Sequence, residues 1–515
     1  MNVILKNVSY KYPRSAGYAL FGISVTIEEG EFLAVMGENG AGKTTFCRLI
    51  NGIIPHLSGG SLQGDVIVDG QNILSSSVSE LALKVGMVLD DPEVQLFSPT
   101  VRLEAAFGPE NLCLQAEEIE ERVTYALSAV GLSGFEERKP STLSGGEKQR
   151  LAIAAALAMK GKILVLDEPL CRLDPNGARE VMSVLNDIKQ KYGITIVMVS
   201  HNSGIMAEYA DRVCVLKNGK IAALDTAKNI FENNKLPEEN GIENIFDNRR
   251  ITQGNTEFCY IECTKKEKSK EIPEDTHSAL CVSSVVNSSL YIPLPAVNIK
   301  DFCFAYPNGI SVENINLSVF ENDFAALVGN NGCGKTTLLK SISGLLRPSG
   351  GDIFIRGKNT KELSVSEISK DVGFVMQNPD AQLFTDSVYK EVTFALKNTR
   401  DNGKRLSKEE IKKRAEDALL TTGLKDLDAF PHSLSRTDRA KVVIACVLAM
   451  GSGIILFDEI DAGNDYKGTL QIMEIAKDLI KKGFTIIFVT HNMNLAERYA
   501  NRIITMNSNI RFGEQ

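Results

Sequence analysis

Gly37-Glu38-Asn39-Gly40-Ala41-Gly42-Lys43-Thr44-Thr45, preceded by the apolar run Phe32-Leu33-Ala34-Val35-Met36, decides how the chain is read. A second copy, Gly329-Asn330-Asn331-Gly332-Cys333-Gly334-Lys335-Thr336-Thr337, follows Phe324-Ala325-Ala326-Leu327-Val328. Both fit G-x-x-x-x-G-K-[ST] in the setting that pattern needs: a buried strand before it and a helix-compatible run after it (Phe46 to Asn51; Leu338 to Ser343). Glycines let the backbone fold around a polyphosphate with successive N–H groups pointing inward, and the helix N-terminus adds its partial positive charge. Lys43 and Lys335 would neutralise terminal phosphate oxygens, while Thr44 and Thr336 would offer a hydroxyl to Mg²⁺. Every residue of the two quoted loops is therefore a candidate phosphate contact. A glycine-rich turn with a chance lysine could explain one such match, but hardly two in the same setting.

Working outward, the length of 515 residues suits more than one domain, each with its own core. The balance of 57 Lys+Arg against 65 Asp+Glu, net −8, argues against binding a nucleic-acid backbone. Ten cysteines are scattered without a framework, which suits reduced thiols in a cytosolic compartment. Cys259-x-x-x-Cys263 with His277 and Cys281 has poor spacing for a metal site. The sequence starts almost at once on a strand pattern, so no signal peptide is expected. No apolar run reaches the roughly 18 residues of a membrane span, so any membrane role is expected to fall to a partner.

The two halves are internal repeats. Val3 to Tyr10 and Val25 to Ile27 read as strands, matched by Val297 to Phe304 and Ile315 to Val319. Each half then shows strongly apolar strands, Ile163–Leu166 and Ile194–Val199 in the first, Ile454–Phe457 and Phe484–Val489 in the second. Such β-branched runs alternating with helical stretches predict an α/β fold with a largely parallel sheet. The expected organisation is a first domain over 1–235, a linker over 236–295 and a second domain over 296–515. The linker is polar, carries Pro237, Pro273, Pro293 and Pro295 and the charged run Lys265 to Glu271, and holds ten acidic against six basic residues. It reads as a long tether with little fixed structure.

Each apolar strand ends in an acidic pair, Asp167-Glu168 and Asp458-Glu459. A carboxylate at the C-terminal end of a central parallel strand sits beside the phosphate loop. There the first acid can hold Mg²⁺ and the second can polarise the water that attacks the terminal phosphate. His201 and His491 each follow a buried strand at the same place in the two repeats, where they could hold that water. Leu143-Ser144-Gly145-Gly146-Glu147-Lys148-Gln149-Arg150 precedes an apolar helix and describes a further anion site, with serine at the helix start and two glycines exposing N–H groups.

Together the phosphate loop, the L-S-G-G run, the strand ending in Asp-Glu and the following histidine resemble the ATP-binding cassette (ABC) family over nearly all of both halves. The resemblance implies two P-loop NTPase domains in tandem, each with a mostly parallel central sheet, an antiparallel β subdomain and a helical signature subdomain. It implies further that two cassettes pair head to tail, each ATP held between the phosphate loop of one and the signature helix of the other. Tyr12 and Tyr306 match the family's adenine-stacking position, where any base with a π face would stack.

Asp91-Pro92-Glu93-Val94-Gln95-Leu96-Phe97, Ala106-Phe107-Gly108-Pro109-Glu110-Asn111-Leu112 and Gln377-Asn378-Pro379-Asp380-Ala381-Gln382-Leu383-Phe384 narrow the resemblance. They are similar to the energy-coupling-factor (cobalt- and vitamin-type) importer ATPases, in which this region forms a groove for a coupling helix of a transmembrane subunit. That implies an integral membrane coupling subunit and a substrate-binding membrane subunit as partners. It also implies a peripheral position on the cytoplasmic side of the cell membrane, and no nucleic acid.

The halves depart from the pattern in different ways. The first keeps its signature but has Asp90 where the family has glutamine. The second keeps that residue, Gln377, also a candidate metal ligand, but its signature reads Leu434-Ser435-Arg436-Thr437-Asp438. If sites are shared, one combines Lys43, Asp90, Glu168 and His201 with Ser435-Arg436-Thr437. The other combines Lys335, Gln377, Glu459 and His491 with Ser144-Gly145-Gly146. The expectation is that the second hydrolyses ATP while the first mainly holds it. Family members often carry a C-terminal appendage that aids dimerisation. Here only a short tail follows Arg502–Met506, and the tether would substitute by raising effective concentration. The competing function is a soluble tandem-cassette ATPase acting on ribosomes; an acidic linker and a degenerate signature count against it. A non-hydrolysing scaffold is disfavoured by the presence of both Glu168 and Glu459.

Overall fold

A computed structural model describes residues 2–171, 173–232, 236–243, 257–261, 295–306, 310–398, 400–401, 404–506 and 510–512. By residue range the chain forms two compact units. The first comprises Met1–Ile251 with Leu434–Asp438 and Asp461–Ile472; the second comprises Thr252–Ser433 with Arg439–Ile460 and Met473–Gln515.

In the first half the central sheet has six strands. Its spatial order is Lys220–Thr226, Arg212–Lys217, Phe32–Gly37, Thr195–Val199, Ile163–Asp167 and Val85–Val88. All neighbours are parallel except the edge hairpin formed by the first two. Phe32 to Gly37 is buried at every position because both faces of the sheet are covered. Phe32, Ala34 and Met36 point to the helical side, where they pack with Ile196 and Met198; Leu33 and Val35 point the other way, into a core shared with Phe46 and Leu49. A four-stranded antiparallel sheet closes that second core, with Val3 opposite both Ile27 and Val68. The helices Val101–Asn111, Ala116–Ala129 and Gly145–Ala158 form the helical subdomain.

The second half repeats this plan. Its central sheet runs Glu257–Ile261, Arg502–Met506, Phe324–Val328, Thr485–Val489, Ile454–Asp458, Val372–Val375, all neighbours parallel. Its antiparallel sheet has five strands, and its helical subdomain is Val388–Asn398, Lys408–Thr422 and Arg436–Met450. The predicted α/β class and three-part cassette architecture are what the chain adopts.

Residues 236–295 differ from the tether expected of them wherever they are described. Leu236–Glu239 forms a helical turn, and Ile242 is buried in the core of the first half. Glu257–Ile261 is an edge strand, in parallel register from Glu257 opposite Arg502 to Ile261 opposite Met506. The reason lies in the local run Phe258-Cys259-Tyr260-Ile261: aromatic and β-branched residues favour a strand, and a sheet edge offers unpaired backbone groups to bind it. Average composition hid that short run. Pro273, Pro293, the run Lys265 to Glu271, and Cys263, His277 and Cys281 lie outside the described residues.

Candidate functional site

Each phosphate loop is held between a strand of the central sheet and a helix. Helix Lys43–Ile50 starts from Gly42, and helix Lys335–Ile342 from Gly334, both glycines in left-handed backbone (φ 100° and 99°). At the strand ends Gly37 has φ +142°, and a Cβ there would sit 2.1 Å from the Leu216 carbonyl oxygen; at Gly329 (φ +157°) it would sit 2.4 Å from that of Met506. Only glycine fits where the neighbouring strand's backbone comes so close. The loop tips Asn39-Gly40 and Asn330-Asn331-Gly332 are exposed, while Ala41 and Cys333 are buried. Thr45 and Thr337 are buried behind the tips.

Lys43 Nζ donates to the carbonyls of Gly37 (2.9 Å) and Glu38 (3.0 Å), and Lys335 Nζ to those of Gly329 (2.8 Å) and Asn330 (2.9 Å). Burial lowers the pKa of the Lys43 ammonium, with Glu168 acting against the shift. Tyr12 and Tyr306 lie against these helices through their hydroxyls, 3.2 Å from Thr45 Oγ1 and 2.8 Å from Thr337 Oγ1. The structure thus brings the expected aromatic rings beside the loops.

Sheet order explains why the acids and histidines converge. The strand between the loop strand and the acidic strand carries the histidine at its C-terminal end, in both halves. Glu168 and Glu459 occupy left-handed backbone (φ 51° and 47°), their N–H groups bound to the carbonyls of Val199 (3.1 Å) and Val489 (3.2 Å). A glutamate held there is strained, and such strain clusters at functional sites. Glu459 accepts from Gln377 Nε2 (2.8 Å) and lies 3.1 Å from His491 Nε2. His201 Nε2 lies 2.8 Å from Glu168 Oε1, the counterpart of the His491–Glu459 contact. Burial would raise the Glu168 pKa, but His201 and Lys43 outweigh it and leave the carboxyl below its ordinary value.

The acids before them are suited to a cation. Burial pushes Asp167 and Asp458 up to about 6, opposed by hydrogen bonds from Thr44 and Thr336; the latter is 3.0 Å long. Asp167 Oδ1 is buried without a hydrogen-bond partner. A divalent cation beside it would supply what the atom lacks, so Thr44, Asp167, Thr336 and Asp458 fit such a group. Gln377 donates its Nε2 to Glu459.

Ser144 caps helix Gly145–Ala158: its Oγ accepts from Glu147 N–H (3.3 Å) and the Glu147 carboxylate accepts from Ser144 N–H (2.7 Å). Ser435 caps in the same way, accepting from Asp438 N–H (3.1 Å). Gly145 and Gly146 leave their turn open; Thr437 instead donates to Asn464 Oδ1 (3.2 Å). Within the first unit, Asn39 N–H donates to Asp465 Oδ2 (2.5 Å) and Lys467 Nζ lies 3.1 Å from Glu38.

Sequence reasoning missed the residues that stiffen the loop after Asp90 and Gln377. Gln95 accepts from Leu89 N–H (3.0 Å) and donates to the Met87 carbonyl (3.1 Å); Gln382 does the same with Met376 (2.8 Å) and Phe374 (2.9 Å). Buried Glu104 accepts from the N–H groups of Phe97 (3.0 Å) and Ser98 (2.7 Å), and buried Glu391 from those of Phe384 (3.1 Å) and Thr385 (2.8 Å). Each loop then presents an exposed edge-to-face pair, Phe97–Phe107 and Phe384–Phe394, both at 4.7 Å. The signal was an acid at matched places in both repeats.

The sequence profile described as ABC transporter matches residues 20–171 and again 312–462. The chain belongs to the ABC transporter family. A protein of Caldanaerobacter subterraneus, named provisionally as an ABC transporter ATP-binding protein, is 36% identical over 518 residues, 98% of this chain and 89% of its own. One of Methanosarcina acetivorans with the same provisional name is 36% identical over 524 residues, 98% and 84%. A solved structure of cbiO1 from Clostridium perfringens, described as part of the ABC transporter complex cbiONQ, is 34% identical. It covers 46% of this chain and 93% of its own, with a TM-score of 0.42. This ABC ATPase is thus a tandem ATP-binding subunit that hydrolyses ATP. Among its described residues no helix is long and apolar enough to cross a membrane.

Proposed function

We propose that this ABC ATPase powers an energy-coupling-factor-type importer, and that its two ATP sites are unequal. Its domains are taken as 1–235 and 296–515, joined by the segment between. The halves act as a head-to-tail pair: ATP binds Lys335's loop and the Ser144-Gly145-Gly146 helix at one site, and Lys43's loop and the Ser435-Arg436-Thr437 helix at the other. Thr336 with Asp458, and Thr44 with Asp167, would hold Mg²⁺, which would supply charge neutralisation at the phosphates. Glu459 polarises the attacking water, with His491 and Gln377 holding the carboxylate in place.

The observation that carries the inequality is the Gln377 amide 2.8 Å from Glu459, since each glutamate has its own histidine. Asp90 cannot donate such a bond to Glu168. The import reading rests on the motifs around Phe97 and Phe384, whose exposed aromatic pairs suit an apolar coupling segment of an integral membrane subunit. A second membrane subunit would bind the transported molecule, and the chain would sit peripherally on the cytoplasmic face.

The deciding experiment compares Glu459→Gln with Glu168→Gln in steady-state ATPase assays. Loss of a general base typically costs about 10²–10⁴ in rate, and that loss is expected for Glu459→Gln alone. Equal abolition by Glu168→Gln would end the proposed inequality. Co-purification with ribosomes instead of with an integral membrane protein would end the import reading.

A further inference from the structure

In both halves the helix that begins at the signature serine is joined by an ion pair to the loop bearing the exposed aromatic pair. Lys148 Nζ donates to Glu93 Oε1 at 2.5 Å, and Arg439 Nη1 to Asp380 Oδ1 at 2.5 Å. The positions correspond: each base lies four residues after Ser144 or Ser435, and each acid directly follows Pro92 or Pro379. A half-exposed surface pair of this kind contributes little to stability. Yet the second half has replaced both signature glycines by Arg436 and Thr437 while keeping base and acid in register. The pair is present where the anion-binding turn is not, so phosphate binding does not account for it.

Its surroundings give it something to transmit. On one side, the acid sits on a loop already pinned by Gln95 and Glu104, or by Gln382 and Glu391, so a pull on Glu93 or Asp380 moves Phe97 or Phe384 as a unit. On the other, the base rises from the first turns of the signature helix. A backbone bridge runs alongside, from Val101 N–H to the Arg138 carbonyl (2.9 Å) and from Val388 N–H to that of Ala429 (3.1 Å). That bridge ties the next helix to the segment before the signature helix and touches neither the turn of the loop nor the signature helix itself.

We propose that Glu93–Lys148 and Asp380–Arg439 are positioning pairs that pass the placement of the signature helix to the aromatic loop, so that Phe97 and Phe384 report nucleotide state to a membrane partner. This rests on the head-to-tail reading of the ATP sites. The second pair is reinforced: His432 Nδ1 lies 3.3 Å from Asp380 Oδ1 and its Nε2 lies 3.2 Å from the Leu383 carbonyl oxygen, whereas Ser141 stands at the matching place in the first half.

The chain has no tryptophan, so Phe97→Trp in the full-length protein gives a single fluorescent reporter on the loop. Mg-ATP is expected to shift its emission. Glu93→Lys should abolish that shift, and Glu93→Lys with Lys148→Glu should restore it, while binding of a fluorescent N-methylanthraniloyl ATP analogue stays the same in the starting protein and in Glu93→Lys. A shift that survives Glu93→Lys, fails to return in the swapped pair, or is missing from the starting protein while the analogue binds would overturn the relay and leave the ATP-site reading standing. Failure of the starting protein to bind the analogue would overturn both. Phe384→Trp with Asp380→Lys provides the same measurement in the second half should Glu93→Lys fail to fold.

Discussion

Two glutamates at matched places, on matched strands and with the same left-handed backbone, are held differently. Glu459 has the Gln377 amide at 2.8 Å and the His491 imidazole at 3.1 Å, both in hydrogen-bonding geometry. Glu168 has the His201 nitrogen at 2.8 Å and the Lys43 ammonium at 4.0 Å, with Asp90 where Gln377 stands in the other half. The protein has kept the costly backbone at both positions, which argues that both carboxylates face a nucleotide. The histidine stands beside both, while the amide donor stands beside Glu459 alone, with Asp90 at the matching place in the first half. A carboxylate that must turn a water towards phosphorus gains from being fixed beforehand, since alignment at the moment of reaction costs nothing more. A carboxylate that only balances charge around Lys43 has no such need. The contrast is that the two glutamates share their strand ends and left-handed backbone and differ in the amide beside them, on which the proposed inequality rests.

Gln377→Asp breaks the comparison most severely, because it gives the second site the first site's residue. It removes the donor to Glu459 and sets a second anion beside it. Losing a hydrogen bond to a charged group is worth about 1.5–3 kcal/mol, which corresponds to a fall in ATPase rate of about 10- to 100-fold. Asp90→Gln alone should leave turnover nearly unchanged, because the altered signature opposite Lys43 remains. A gain from Asp90→Gln comparable to the loss from Gln377→Asp would show that the signature plays no part in the inequality.

How much of this was visible beforehand depended on whether the chemistry lies in one short stretch. The phosphate loops, the acidic strand ends and the capping serine are local patterns with a local physical cause, and Lys43, Thr44, Asp167 and Ser144 stand where their motifs put them. The orientation of Gln377 towards Glu459 spans 82 residues and depends on which strands are neighbours, so no local pattern encodes it. Glu104 and Glu391 carry no local motif, and both are buried because two backbone N–H groups need an acceptor there. The edge strand Glu257–Ile261 failed for a different reason: a five-residue β-prone run was averaged into sixty polar ones.

Restoring the signature sharpens the comparison from the other side. Arg436→Gly with Thr437→Gly removes the Thr437 bond to Asn464 and reopens the turn to an anion. Two glycines in the first turn cost the helix about 1 kcal/mol each, so a modest loss of thermal stability should accompany any gain. The expected result is a rise in turnover per chain, larger when Asp90→Gln is added, measured by steady-state ATPase. No rise in the triple variant would mean that the site built on Lys43 is silent for a reason outside these three positions.

The smallest effect separates stability from chemistry within one residue type. Ser144 and Ser435 both cap a helix with the same acceptor geometry, taking a hydrogen bond from Glu147 N–H at 3.3 Å and from Asp438 N–H at 3.1 Å. Replacing an N-cap serine by alanine costs about 1 kcal/mol, which lowers Tm by about 2–4 °C in a domain of this size. Ser144→Ala and Ser435→Ala should therefore melt alike in differential scanning calorimetry. Their ATPase rates should not match. On the proposed pairing Ser144 belongs to the site of Glu459, so its loss should reduce turnover beyond anything the melting shift explains, while Ser435→Ala should leave turnover where it was. Equal melting with unequal turnover assigns the difference to the sites; equal turnover would mean that the two serines act only as caps, and the asymmetry would then have to reside wholly in Gln377 and Asp90.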